Sequence, residues 1–220
     1  MSDPMRIKVC CISSPEEARI AIEAGAHALG LVSAMPSGPG PIDEALIAEI
    51  ASAVPPGVDT FLLTSKTDAK SIIDQLRRTR CRTIQLVDEV EPGTYEAIRS
   101  ELPNVRIVQV IHVQDRGAIE EARAVQGWVD AILLDSGRPK ASLKEFGGTG
   151  RTHDWEISAR LRESVRVPVF LAGGLNPSNA AEAIRAVQPF GLDLCSGVRS
   201  NGRLDPIKLQ SFFEAVRACV

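Results

Sequence analysis

Short apolar runs alternate with amphipathic stretches along the whole chain. Runs at 7–12, 28–32, 60–63, 83–87, 106–113, 131–134, 169–172 and 192–195 are rich in Val, Ile and Leu. Each has the length and composition of a buried strand. Between most of them, apolar residues recur at i, i+3 and i+4, over 15–23, 44–53, 69–77, 94–100, 119–125, 179–187 and 206–217. That spacing predicts helices packed on one face. Strand–helix alternation predicts a parallel sheet. Eight strands in 220 residues favour a closed α/β barrel of the (β/α)8, or TIM, class over an open doubly wound sheet.

Local signals agree with these elements. Ser14-Pro15-Glu16-Glu17 places Ser at an N-cap, Pro at the first helical position and acids in the first turn. Asn176-Pro177-Ser178-Asn179 reads the same way at a later helix. No stretch resembles an interdomain linker, so residues 1–220 are expected to form one domain. The cluster Met35-Pro36-Ser37-Gly38-Pro39-Gly40-Pro41 follows the second strand, which in a barrel makes it an active-face loop.

Composition narrows the partners. A 44% hydrophobic fraction supports a sizeable core, while a net charge of −3 and 4% aromatics argue against a nucleic-acid surface. No apolar run reaches the length of a membrane span, and residues 1–8 do not read as a signal peptide. The five cysteines, Cys10, Cys11, Cys81, Cys195 and Cys219, have no repeated spacing. They predict free thiols and a cytoplasmic setting. With no Cys-x-x-Cys and no His cluster, neither a metal nor a disulfide framework is expected.

Three glycine turns carry the candidate chemistry. Gly147-Gly148-Thr149-Gly150, Gly173-Gly174 and Ser196-Gly197 each follow an apolar run. Such turns cradle anions with backbone N–H groups, so a phosphorylated small molecule is the expected ligand. The common alternative is that they only shape helix entry. Period-2 alternation puts Lys8 and Cys10 on the inward face of the first strand, with Cys11 outward. It also turns Asp135 and Asp193 inward. The C-terminal ends of barrel strands are where catalytic groups sit. A thiol and a carboxyl facing one another there could work as base and acid. Without that context, a strand Cys is usually a small buried hydrophobe and an Asp after a strand a cap. His27 and His112 read as structural or surface residues, and His153 is left open.

Together, Lys8-Val9-Cys10, Leu133-Leu134-Asp135-Ser136, Gly147-Gly148-Thr149-Gly150-Arg151-Thr152-His153-Asp154-Trp155, Leu171-Ala172-Gly173-Gly174-Leu175-Asn176-Pro177 and Asp193-Leu194-Cys195-Ser196-Gly197-Val198 resemble the phosphoribosylanthranilate isomerase family. The resemblance spans nearly the whole chain in order. It implies a (β/α)8 barrel, monomeric or homodimeric, with no cofactor. It also implies an isomerase of tryptophan biosynthesis that performs an Amadori rearrangement. Asp135 would be the general acid and Cys10 the general base. Gly148, Thr149, Gly150, Gly173, Gly174, Ser196 and Gly197 would bind phosphate, with Asp193 near the substrate.

The departures lie at the other end of the substrate. Cys11 stands where the family has Gly, Val87 where it has His, and Arg199 where it has Glu. Gly40 falls about where the family places the Arg that holds the anthranilate carboxylate, and no Arg occurs between Arg19 and Arg77. Arg199 is then a candidate substitute, and Gly40→Arg is expected to recover part of the lost carboxylate binding. The alternatives are an isomerase for another phosphoribosyl amine or phosphosugar, and a non-catalytic phosphate-ligand binder.

Overall fold

A computed structural model describes residues 5–137 and 153–219. Eight parallel strands close into a barrel in chain order: β1 (Arg6–Val9), β2 (Ala28–Val32), β3 (Asp59–Thr64), β4 (Thr83–Leu86), β5 (Arg106–His112), β6 (Ala131–Asp135), β7 (Val169–Leu171) and β8 (Gly191–Leu194). Helices follow the strands: α1 (Pro15–Ala24), α2 (Glu44–Ala53), α3 (Ala69–Thr79), α4 (Thr94–Glu101), α5 (Gly117–Val125), α6 (Trp155–Ser164), α7 (Ala180–Val187) and α8 (Pro206–Arg217). Before α8 come a 3-10 turn (Ser196–Val198) and a small antiparallel ribbon, β9 (Arg199–Ser200) with β10 (Arg203–Leu204).

Side-chain alternation divides the apolar residues into two layers. Ile7, Val9, Leu29, Leu31, Ile84, Leu134 and Leu192 face out and pack under the helices. Phe61, Leu63, Val108, Val110, Leu133 and Phe170 fill the barrel itself. The strands are therefore apolar on both faces, as a sheet wrapped by helices must be. At the N-terminal end, Phe170 stacks edge-on between Phe61 and Phe190, with ring centroids 6.1 and 5.4 Å apart.

The predicted elements are found, with instructive differences. The first run was expected to continue to residue 12, yet β1 ends at Val9. Cys10 N–H still donates to the Leu194 carbonyl at 2.7 Å, but Cys11 turns to φ 62. Ile12 N–H then regains the sheet through the Gly30 carbonyl. Ser14 caps α1 as expected, accepting from Glu17 N–H. Asn176 does not cap α7. It closes a preceding turn by accepting from Ser178 N–H, and α7 begins after Asn179. Helix α6 and the ribbon were not foreseen.

Where strands approach most closely, glycine is required. A Cβ on Gly191 would lie 2.6 Å from Phe170 Cε1 and 2.9 Å from the Arg6 carbonyl oxygen. Neither neighbour can swing away, one being wedged in the aromatic stack and the other part of the backbone. Gly191→Ala is expected to cost about 1–3 kcal/mol, the usual penalty for overpacking. Thermal unfolding with a secondary-structure readout checks this; an unchanged midpoint would refute it.

Candidate active site

The C-terminal mouth of the barrel is built on a buried charge cluster. Lys8 on β1 is fully buried and its Nζ lies 2.8 Å from Asp193 Oδ1 on β8. The two residues are register partners across the seam where the barrel closes. Lys8 Nζ also sits 5.2 Å from the Phe61 ring centroid, a cation–π distance. Burial works against the ammonium, but Asp193 and then Cys10 outweigh it and hold Lys8 above its usual value. Burial likewise pushes the Asp193 carboxyl up, with Lys8 opposing.

Cys10 and Asp135 open onto one cavity, together with Cys11, Val32, Gln85, Gly173, Asp193 and Ser196. The predicted inward parity of Cys10, Asp135 and Asp193 therefore holds. Gly30 makes room for it: a Cβ there would be 2.7 Å from Cys10 Sγ and 3.1 Å from Lys8 Nζ. The Cys10 thiol is held below its usual range, chiefly by a hydrogen bond from the Cys11 thiol, and also by Lys8, against its own burial. Asp135 goes the other way. Burial raises it, although Ser136 N–H donates to Oδ1 at 2.7 Å and His112 and Lys8 stand near. Lys8 and Asp193 cancel in charge. A thiolate at Cys10 then makes a neutral Asp135 the cheaper state in this enclosed space.

The structure corrects three expectations about the neighbouring residues. Cys11 does not pack outward under the helices. Its positive φ breaks the alternation, and its side chain joins the interior cluster and the cavity wall. Its Sγ lies 2.8 Å from Cys195 Sγ. Arg199 is not free to hold a substrate carboxylate. Its side chain is 8% exposed and bonded to Glu17 at 3.0 Å, and it also donates to the carbonyls of Cys10, Cys11 and Gly202. Gly40 cannot simply become Arg. Its φ is 77, and a Cβ there would lie 2.8 Å from Cys11 Cβ. Among the described residues, no Lys or Arg lines the cavity. Its outer wall is Met35, Ser37, Gly38, Pro39, Leu63 and Val87.

At the expected phosphate end, Gly173, Gly174 and Ser196 line the cavity, the two glycines with φ 83 and 64. Gly197 packs closely against the Leu175 carbonyl, which a Cβ on it would overlap. Gly148, Thr149 and Gly150 lie outside the described residues. His27 accepts from Ile7 N–H, and His112 Nε2 bonds the Val87 carbonyl, both structural roles. His153 bonds Ser158 Oγ through Nε2 and is pushed down to about 4 by burial, so its ring is neutral. Gln85 was missed by sequence reasoning. It is buried on the inward face of β4, and its Oε1 has no partner among the described residues. A Gln in an apolar run was the available signal. No group of three or more His, Cys, Asp or Glu among the described residues could hold a metal, and no helix among them is long and apolar enough to cross a membrane.

Comparison with known proteins shows the family to which the chain belongs. The sequence model of N-(5'-phosphoribosyl)anthranilate isomerase matches residues 7–215. The chain is 37% identical over 213 residues to the isomerase of that name from Methanocella arvoryzae, covering 96% of this chain and 98% of the relative. The crystal structure of the Thermus thermophilus phosphoribosyl anthranilate isomerase superposes with TM-score 0.82 at 27% identity, covering 97% and 99% of the two chains. A phosphoribosyl anthranilate isomerase solved in complex with reduced 1-(o-carboxyphenylamino)-1-deoxyribulose 5-phosphate gives 0.79 at 26% identity, with coverage of 97% and 99%.

The contact between Gly40 and Cys11 yields a double-mutant prediction. Gly40→Arg alone should destabilise the chain by about 1–3 kcal/mol through overpacking and a left-handed backbone. Cys11→Gly relieves both the clash and the strain at φ 62, so the pair together should cost less than the sum of the single changes by at least about 0.5 kcal/mol. Denaturant unfolding of the four proteins checks it. Strict additivity would show that the two sites do not touch.

Proposed function

We propose, for a chain that belongs to the phosphoribosylanthranilate isomerase family, the aldose–ketose isomerisation the family is named for, a step of tryptophan biosynthesis. The substrate would be N-(5'-phosphoribosyl)anthranilate and the product the 1-deoxyribulose 5-phosphate. The observation that carries this reading is the shared cavity of Cys10 and Asp135, with their proton affinities shifted in opposite directions. Neutral Asp135 protonates the furanose ring oxygen, and the bond from that oxygen to C1 breaks, leaving an iminium between C1 and the anthranilate nitrogen. The Cys10 thiolate takes the proton from C2, whose electrons neutralise the iminium. The resulting enolamine tautomerises to the ketone. The whole chain acts as one catalytic unit, with the phosphate held at Gly173, Gly174 and Ser196 together with residues 148–150.

The opposed shifts matter quantitatively. The reaction needs a protonated acid and an ionised base together. With ordinary values of about 3.9 for Asp and 8.5 for Cys, only about one molecule in 10⁴ to 10⁵ would carry that combination. Each unit by which the gap narrows raises this fraction about tenfold. Burial of Asp135 and the Cys11 hydrogen bond to Cys10 both narrow it.

One observation supports a second reading. The outer cavity wall has no cation among the described residues, so a phosphoribosyl amine without the anthranilate carboxylate is an alternative substrate. Comparing kcat/KM for the two separates them. A preference for the carboxylate above about tenfold, worth 1.4 kcal/mol, supports the anthranilate, and parity supports the alternative.

Two further outcomes are expected. Cys10→Ala and Asp135→Asn should each lower kcat by at least about 10³-fold while inorganic phosphate affinity stays within about twofold, because proton transfer is lost and anion binding is not. An equal loss of phosphate affinity would reassign them as structural. The log of kcat/KM should be bell-shaped in pH. Its acid limb should lie above about 3.9 and its alkaline limb below about 8.5, inside the window set by the unshifted groups. An alkaline limb at or above the ordinary thiol value would contradict the assigned role of Cys11 on Cys10.

A further inference from the structure

Three thiols meet where β1 and β8 close the barrel, and the proposed chemistry uses only Cys10. Cys11 Sγ lies 2.8 Å from Cys195 Sγ, whereas a disulfide bond is about 2.05 Å long. The segments that carry them are fixed on both sides. Val9 pairs with Leu194, and Cys10 N–H bonds the Leu194 carbonyl at 2.7 Å. The Arg199 guanidinium donates to the Cys10 and Cys11 carbonyls while paired with Glu17. Cys195 is half-buried and lines the cavity, so a small reagent entering the mouth meets it, while Cys11, on the same cavity wall, is the more buried of the two. Cys81 and Cys219 lie elsewhere in the fold, the latter donating to the Ala215 carbonyl.

We propose that Cys11 and Cys195 are a reversible redox pair, closed to a disulfide by low-molecular-weight disulfides, and that closure slows the isomerase. The Cys195 thiolate attacks one sulfur of the reagent, forming a mixed disulfide and releasing one thiolate. The Cys11 sulfur then attacks Cys195 Sγ and displaces the second thiolate. The two protons leaving Cys195 and Cys11 end on the two released thiols. The protein loses two electrons and the reagent gains them. Reversal by a dithiol follows the same path. The Cys11 position selects this pairing: its left-handed backbone turns the thiol away from the outer layer and onto Cys195. Closure removes the only proton on the Cys11 sulfur. The hydrogen bond it gives Cys10 is then lost, so a base that depends on that bond becomes a poorer thiolate. This second half rests on the reading of Cys10 as the base.

The test uses the full chain and oxidised glutathione as the probe. Intact mass should show the loss of two hydrogens, and tryptic mapping a bridge between the peptide carrying Cys10 and Cys11 and the peptide carrying Cys195. Cys11→Ser and Cys195→Ser should each abolish the bridge, and Cys10→Ser should keep it. A stable glutathione adduct on Cys195 with no bridge, a bridge lost in Cys10→Ser, or no reaction in the folded chain would each overturn the pair. In the isomerase assay, oxidation should lower kcat at neutral pH at least about tenfold, because less of Cys10 is then ionised, with recovery on adding dithiothreitol. A bridged protein that keeps kcat within about twofold would overturn the regulatory half. Because the bridge is read by mass, it decides the redox pair even if the reduced chain turns over no substrate, an outcome that would instead count against the proposed reaction.

Discussion

The Lys8–Asp193 ion pair is the constraint on which the site depends. It joins the first and last strands inside the barrel, fully shielded from water on the lysine side. Two charges in such a place are stable only together; removing either partner leaves an uncompensated charge costing about 3–5 kcal/mol. The pair consumes the only lysine charge on the inner face of β1 and sets the electrical background for everything above it. Cys10, two residues along the same face, has a cation at its base. Asp135, enclosed in the same interior, is pressed toward its neutral form by burial. The β1–β8 register sets this ion pair beneath the acid and the base, and burial of Asp135 with the Cys11 hydrogen bond to Cys10 then draws their proton affinities together.

Much of this was legible in the chain. The inward row Lys8, Cys10 and the inward Asp135 and Asp193 come from period-2 alternation alone, because a strand buried on both faces leaves a polar residue no place except the barrel interior. The glycines at 173 and 174 were legible for a related reason: their left-handed backbones are open to few other residues. Helix α6 escaped notice because its apolar positions are few and its entry follows the glycine loop, whose composition dominates the local pattern. Gln85 escaped because one amide in an apolar run has the same sequence appearance whether it faces helix or cavity.

Cys11, Gly40 and Arg199 show where alternation fails. Parity counts residues and assumes that every one keeps an extended backbone. At Cys11 the backbone crosses to φ 62, so the count slips by one and an expected outer residue becomes an inner one. A Cβ at residue 40 would land on Cys11, so the small residue at 40 and the side chain at 11 belong to one packing solution. Arg199 adds its carbonyl contacts to the same corner. Three departures scattered over 188 residues of sequence separation are neighbours in space, and reading them one at a time concealed that.

The Glu17–Arg199 pair has a consequence for how the chain is assembled. Glu17 accepts from Arg199, from Ser13 N–H and from Leu204 N–H. Burial opposes its charge, and these partners overcome it to hold the carboxylate below its usual range. The partners on the β8 side are 182 and 187 residues downstream. While the chain emerges from a ribosome, α1 is therefore made long before the groups that complete it, and the open edge of β1 waits with it. Closing so long a loop is entropically costly and is repaid only by the final unit. The corner carrying the thiols is thus among the last parts of the molecule to become ordered, and a nascent barrel cannot display its active site before its last strand has been translated.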